Sequence, residues 1–126
     1  MGAPGKRPYN LAASGDPRTY GDLATPAGLA SVARFASGIG PDKRRIVPQN
    51  PDGSLRGPTN LVADAHAAGL FVHAYTFRNE PRFLAPAYAG DPLKEYLSFY
   101  ALGVDGVFSD FPDTALAARA AFAKGR

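Results

Sequence analysis

The sequence contains no cysteine, which excludes disulfides, thiolate zinc sites and a cysteine nucleophile from this chain. No apolar run approaches the roughly 20 residues needed to span a bilayer, so no transmembrane segment is expected. The opening MGAPGKRPYN has no apolar h-region and does not read as a secretory signal. A signal removed earlier or lying upstream stays open. Basic residues are dispersed rather than gathered into a stripe with interleaved aromatics, which argues against a nucleic-acid partner. The exception is Lys43-Arg44-Arg45, which reads either as a solvated loop or as a ligand contact.

The 126 residues suit one domain with a modest core of its own. A 45% hydrophobic share argues against wholesale disorder, and the formal charge is only +3. Residues 1 to 24 are rich in Gly, Pro, Ser, Asn and Asp and read as a loop-rich N-terminal segment, with Ala12 to Pro17 as a turn. Residues 25 to 126 read as alternating helices and strands.

Thr25 is placed to cap a helix whose first position is Pro26, where the missing N–H costs nothing. Leu29, Val32 and Phe35 give that helix one apolar face, and Gly38 is expected to end it. Ile39-Gly40-Pro41 reads as the end of a strand. Residues 42 to 58, with Pro48, Pro51 and Pro58, read as a long irregular loop. Thr59 should cap a second helix, with Leu61, Val62, Ala65 and Ala68 buried and Gly69 closing it. Leu70 to Phe77 is dense in β-branched and aromatic residues and reads as a buried strand. Asp91-Pro92 opens a third helix with Leu93, Tyr96, Leu97 and Tyr100 on one side. Val104 to Ser109 reads as a strand, Phe111 to Asp113 as a turn, and Thr114 to Lys124 as a terminal helix.

Strands separated by helices of this length imply a parallel sheet. Two or three such strands cannot cover their own edges or both faces, so the physical reading is a piece of a larger α/β fold.

The stretches DAHAAGLFVHAYTFRNE and ALGVDGVFSDFPDTA closely resemble the C-terminal part of glycerophosphodiester phosphodiesterases. The likeness is to the longer, periplasmic-type bacterial members and their plant relatives. GDPRTY at Gly15 to Tyr20 and SGIGPDK at Ser37 to Lys43 support it, and it extends over roughly residues 15 to 120. The resemblance implies a TIM barrel of typically about 250 residues, of which this chain holds about three βα units. It also implies hydrolysis of glycerophosphodiesters to glycerol 3-phosphate and an alcohol. A calcium or magnesium ion and a periplasmic or secreted location are implied with it.

That family carries a His-Arg-Gly motif, a Glu-x-Asp pair and a second catalytic histidine. Neither His66 nor His73 is followed by Arg-Gly, and neither Glu80 nor Glu95 sits in a Glu-x-Asp setting. No catalytic residue or metal ligand of the family is therefore expected in this chain, and the chain alone is expected to be inactive. His73 reads as a packed strand residue and His66 as a helix residue beside a buried face.

Arg78 stands where the strand gives way to its loop, the end at which such barrels place their sites. A guanidinium can hold two phosphodiester oxygens through parallel bonds; the competing reading is a surface Arg paired with Glu80. Tyr75 is either a substrate contact or a core aromatic, and it can share a site with Arg78 only if the strand ends near Phe77. Phe111 is a candidate apolar wall, and Lys43 a candidate source of positive charge. Asp105 and Asp110 invite a metal-ligand reading, but Asp110 reads better as a loop organiser and Asp113 as helix N-terminal electrostatics. The alternative to an enzyme segment is a non-enzymatic barrel half. It would bind phosphate esters, self-associate, or pair with a complementing N-terminal half.

Overall fold

The computed structural model describes residues 20–124. In chain order these form α1 (Tyr20–Leu23), α2 (Pro26–Val32), β1 (Gly38–Ile39), α3 (Leu61–Ala67), β2 (Phe71–Phe77), α4 (Pro92–Ala101), β3 (Gly106–Ser109) and α5 (Pro112–Lys124). Among the described residues the strands make one parallel sheet in the order β1-β2-β3. Gly38 and Ile39 lie beside Phe71 and Val72, while His73 and Ala74 lie beside Gly106 and Val107.

One face of β2 is sealed. Val72, Ala74 and Phe77 are fully buried with Leu29, Leu61, Val62, Tyr96, Phe99 and Ala118 from the helices. Phe77 is the centre of this core: Tyr96 stacks on it at 4.7 Å and Phe99 meets it edge-on at 5.2 Å. Burying an aromatic of this size contributes about 1.5–3 kcal/mol. The opposite face is open. Phe71 and Phe108 are exposed there, and the His73 ring lies between them, 4.4 Å from Phe71 and 6.2 Å from Phe108. His73 is thus half-exposed on the open face and does not join the helix-side core. Gly38 and Gly106 sit beneath these rings: a Cβ on Gly38 would meet the Phe71 ring at 2.1 Å, and one on Gly106 the His73 ring at 2.8 Å.

Several sequence expectations need correcting. Within the segment read as loop, Tyr20–Leu23 form one helical turn, because Leu23 and Ala24 pack on the core; residues 1–19 lie outside the described residues. Thr25 does cap α2, accepting from Gly28 N at 3.1 Å and donating to Asp22 O at 2.7 Å. The helix then stops at Val32 rather than at Gly38, which belongs to β1. Phe35 therefore falls beyond the helix and is exposed. The loop 42–58 contains a 3₁₀ turn, Lys43–Arg45, and a bridge between Gln49 and Leu55. On α4 the most buried residues are Glu95, Tyr96 and Phe99, whereas Leu93 and Tyr100 are only partly buried. α5 begins at Pro112, so the expected turn is its first turn.

β2 holds one residue more than β3 over the same span. Ala74 pairs with Val107 and Phe77 with Ser109, three steps against two. An extra residue of this kind reverses which side chains face the core beyond it. That is why Phe77 joins Val72 and Ala74 inside although strict alternation would turn it out.

Candidate functional site

The C-terminal ends of β1 and β2 meet at a cavity of about 310 Å³, lined by Asp42, Lys43, Arg44, Tyr75, Thr76, Arg78 and Phe83. Parallel α/β sheets place ligands at this end of their strands. The extra residue in β2 is what brings Tyr75 and Arg78 to one wall. Strict alternation over three positions would have set them on opposite faces. The strand ends at Phe77, as the sequence reading required for the two to share a site, and the register shift just before that end turns them to the same side.

Arg78 is anchored on two sides. Its Nε lies 2.9 Å from Asp110 Oδ2, an ion pair without the alignment of a hydrogen bond, and its guanidinium stacks 4.6 Å from the Phe83 ring. Arg82 lies over the same ring at 4.7 Å. The sequence offers Glu80 as the partner of Arg78; the structure supplies Asp110.

Lys43 is not solvated, as its basic run had suggested for a loop. Asp42 caps the 3₁₀ turn by accepting from Arg44 N at 2.9 Å, and the turn directs Lys43 inward. Its Nζ donates to both carboxylate oxygens of Glu95 at 3.0 Å and lies 5.0 Å from the Phe77 ring centre. Both side chains are nearly inaccessible, Lys43 at 9% and Glu95 at 2%. Burial pushes the Glu95 carboxyl above its ordinary value, against the pull of Lys43 and Arg44. Sequence reasoning missed this pair. The available signal was an acidic residue on the same helical face as Tyr96 and Phe99, a position that demands a buried counter-charge.

Phe111 stands at the end of β3, half-buried and outside the cavity wall. Its N–H donates to Ser109 Oγ at 2.9 Å, and that oxygen also bonds the Tyr96 hydroxyl at 2.6 Å. The junction is further tied by Asn79 Nδ2 donating to Thr114 Oγ1 at 2.8 Å. His66 and Asp105 lie at the opposite end of the sheet. There Asp105 Oδ2 meets His66 Nε2 at 2.8 Å and accepts from Val72 N at 2.8 Å. Burial raises the Asp105 carboxyl, but the bonds from His66 and Val72, with the charge of both histidines, together hold it below the usual aspartate value. Its oxygen is engaged in fastening α3 to the strand ends.

Among the described residues, no three His, Asp or Glu side chains gather as a metal would require. The calcium or magnesium ion implied by the resemblance does not fit the described residues.

The sequence model described as the glycerophosphoryl diester phosphodiesterase family matches residues 6–114. The chain belongs to that family. Among its relatives is the Arabidopsis thaliana glycerophosphodiester phosphodiesterase GDPD6, 44% identical over 95 residues, covering 75% of this chain and 25% of the relative. The Arabidopsis thaliana glycerophosphodiester phosphodiesterase GDPDL1 is 47% identical over 104 residues, covering 80% and 13%. A Treponema pallidum (strain Nichols) glycerophosphodiester phosphodiesterase is 32% identical over 98 residues, covering 75% and 26%. The chain thus spans about a quarter or less of the length of these glycerophosphodiester phosphodiesterases. Glycerophosphoryl diester phosphodiesterases are TIM barrels, and the three parallel strands with their helices are consistent with part of such a barrel. No helix among the described residues is long and apolar enough to cross a membrane.

Proposed function

We propose that this chain is a C-terminal wall segment of a glycerophosphodiester phosphodiesterase barrel, about three βα units, and that it positions the substrate phosphate. The observation that carries this reading is the cavity at the ends of β1 and β2, where Lys43, Arg44, Tyr75 and Arg78 converge. Arg78 supplies a planar fork matched to two phosphoryl oxygens, with Tyr75 on the same wall. Lys43 adds positive charge to the lining, largely balanced by Glu95. Phe111, at the end of the neighbouring strand, offers an apolar surface toward the alcohol portion. In this reading the acid, base and metal ligands come from other parts of the barrel, and the chain alone does not hydrolyse glycerophosphocholine with calcium or magnesium present.

The open sheet face with Phe71 and Phe108 favours a second reading for the chain in isolation, a non-enzymatic half that pairs with a complementing segment or with itself. The enzyme reading is tested in a full-length enzyme carrying this segment. A charge-assisted bond is worth roughly 1.5–3 kcal/mol, so Arg78→Ala should lower kcat/KM by about 10- to 150-fold. Arg78→Lys should recover only part, keeping the charge and losing the fork. Near-normal kcat/KM, or activity lost in step with melting temperature, refutes the assignment.

A further inference from the structure

We infer that Asp110 is a positioning residue for the phosphate site: its carboxylate orients the Arg78 guanidinium, although its charge opposes the anion that Arg78 receives. The inference rests on the proposed role of Arg78 and goes one residue beyond it.

The geometry is specific. Asp110 is tied to the end of the strand that leads into Arg78, since its backbone N–H donates to Phe77 O at 3.1 Å. Its carboxylate stands 2.9 Å from Arg78 Nε, and the Phe83 ring backs the guanidinium face at 4.6 Å. Of the five N–H groups on an arginine, one is on Nε and four are on the two Nη nitrogens. Drawing Nε toward Asp110 leaves the Nη groups as the donors for a ligand in the cavity. Arg78 and Phe83 line that cavity; Asp110 does not. Asp110 thus acts through Arg78 rather than by touching the ligand. The pair is part-exposed, with side-chain accessibilities of 39% and 57%, so its effect on stability is small and its effect on orientation is what can be read.

The sign of the effect makes the inference testable. Removing a carboxylate beside an anion site strengthens anion binding if only net charge matters. If Asp110 orients Arg78, the same change weakens it. The 126-residue chain is titrated with glycerol 3-phosphate and followed by NMR, with each variant's melting temperature measured. The expected result is that Asp110→Asn weakens binding roughly two- to fivefold, the equivalent of a part-exposed ion pair, at an unchanged melting temperature. Asp110→Glu should restore part of the loss. Asp113→Asn, an exposed carboxylate in the first turn of α5, should leave binding unchanged or tighten it. Equal or tighter binding by Asp110→Asn while Arg78→Ala abolishes binding overturns the positioning role and leaves Arg78 standing. Equal weakening by Asp113→Asn overturns it as well. Binding absent in the parent chain, or indifferent to Arg78→Ala, overturns both readings together.

Discussion

Replacing Glu95 with Gln would leave the Lys43 ammonium buried against a neutral amide and the Phe77 ring. The structure sets the size of the effect. Both partners are nearly inaccessible, and the ammonium bonds both carboxylate oxygens at 3.0 Å. Removing one partner of a buried ion pair costs about 3–5 kcal/mol, since the survivor is a desolvated charge. A domain of this size has only about 5–15 kcal/mol of stability. At roughly 3–5 °C per kcal/mol, the melting temperature should fall by about 10–20 °C. Lys43→Met keeps an apolar chain on Phe77 and should cost as much at neutral pH, because it strands the Glu95 carboxylate. It should cost less in acid. Without Lys43 the folded Glu95 value rises further above its unfolded one, so the folded state takes up the proton more readily. That relative stability is fully present below the ordinary glutamate value and is lost as pH rises through the raised one. The double variant Lys43→Met/Glu95→Leu removes both charges and should return close to the parent or exceed it by about 1–4 kcal/mol. Urea unfolding of the parent, Lys43→Met, Glu95→Leu and their double variant, with equal m-values, measures the cycle. Single variants that each cost less than about 1 kcal/mol and simply add would mean that the pair behaves as an exposed one, and the burial argument would be wrong.

Asp105→Asn should flatten the acid limb of the stability profile: a carboxyl held below its unfolded value contributes stability above that value and loses it as pH falls through the folded one. An unchanged acid midpoint in pH-dependent unfolding would refute this. Gly28→Ala places a Cβ 2.2 Å from Asp22 O, a backbone atom that must move, so the α1–α2 corner should open at a cost of about 1–3 kcal/mol, read by thermal unfolding. The exposed rings of the open face predict concentration-dependent association, and Phe108→Ser should shift light scattering toward monomer without lowering the melting temperature.

The alternation of helix and strand was legible because the signals are local. Thr25-Pro26 and Asp91-Pro92 cap as their residue types require, and FVHAYTF forms β2. Phe35 misled because helical spacing continues past Val32 in the sequence while the chain turns away to reach β1. The ends of β1 and β2 located the candidate site, yet the contacts inside it were hidden. Lys43 and Glu95 are 52 residues apart, and Arg78 and Asp110 are 32 apart. Such pairings depend on how the strands align, which composition and periodicity do not encode. The extra residue in β2 was equally invisible, since Tyr75-Thr76 carries no glycine or proline to mark it.

That extra residue links two things that otherwise vary independently. Phe77 fills the core and the adjacent Arg78 lines the cavity, and both placements depend on the same one-residue offset. Straightening β2 with all its residues kept would exchange the two side chains across the sheet, emptying the core and burying a guanidinium at one stroke. A chain that has lost this offset fails to fold before it can bind wrongly. Pressure to keep the domain folded therefore also preserves the aim of the arginine, even in a lineage where binding itself is no longer under selection.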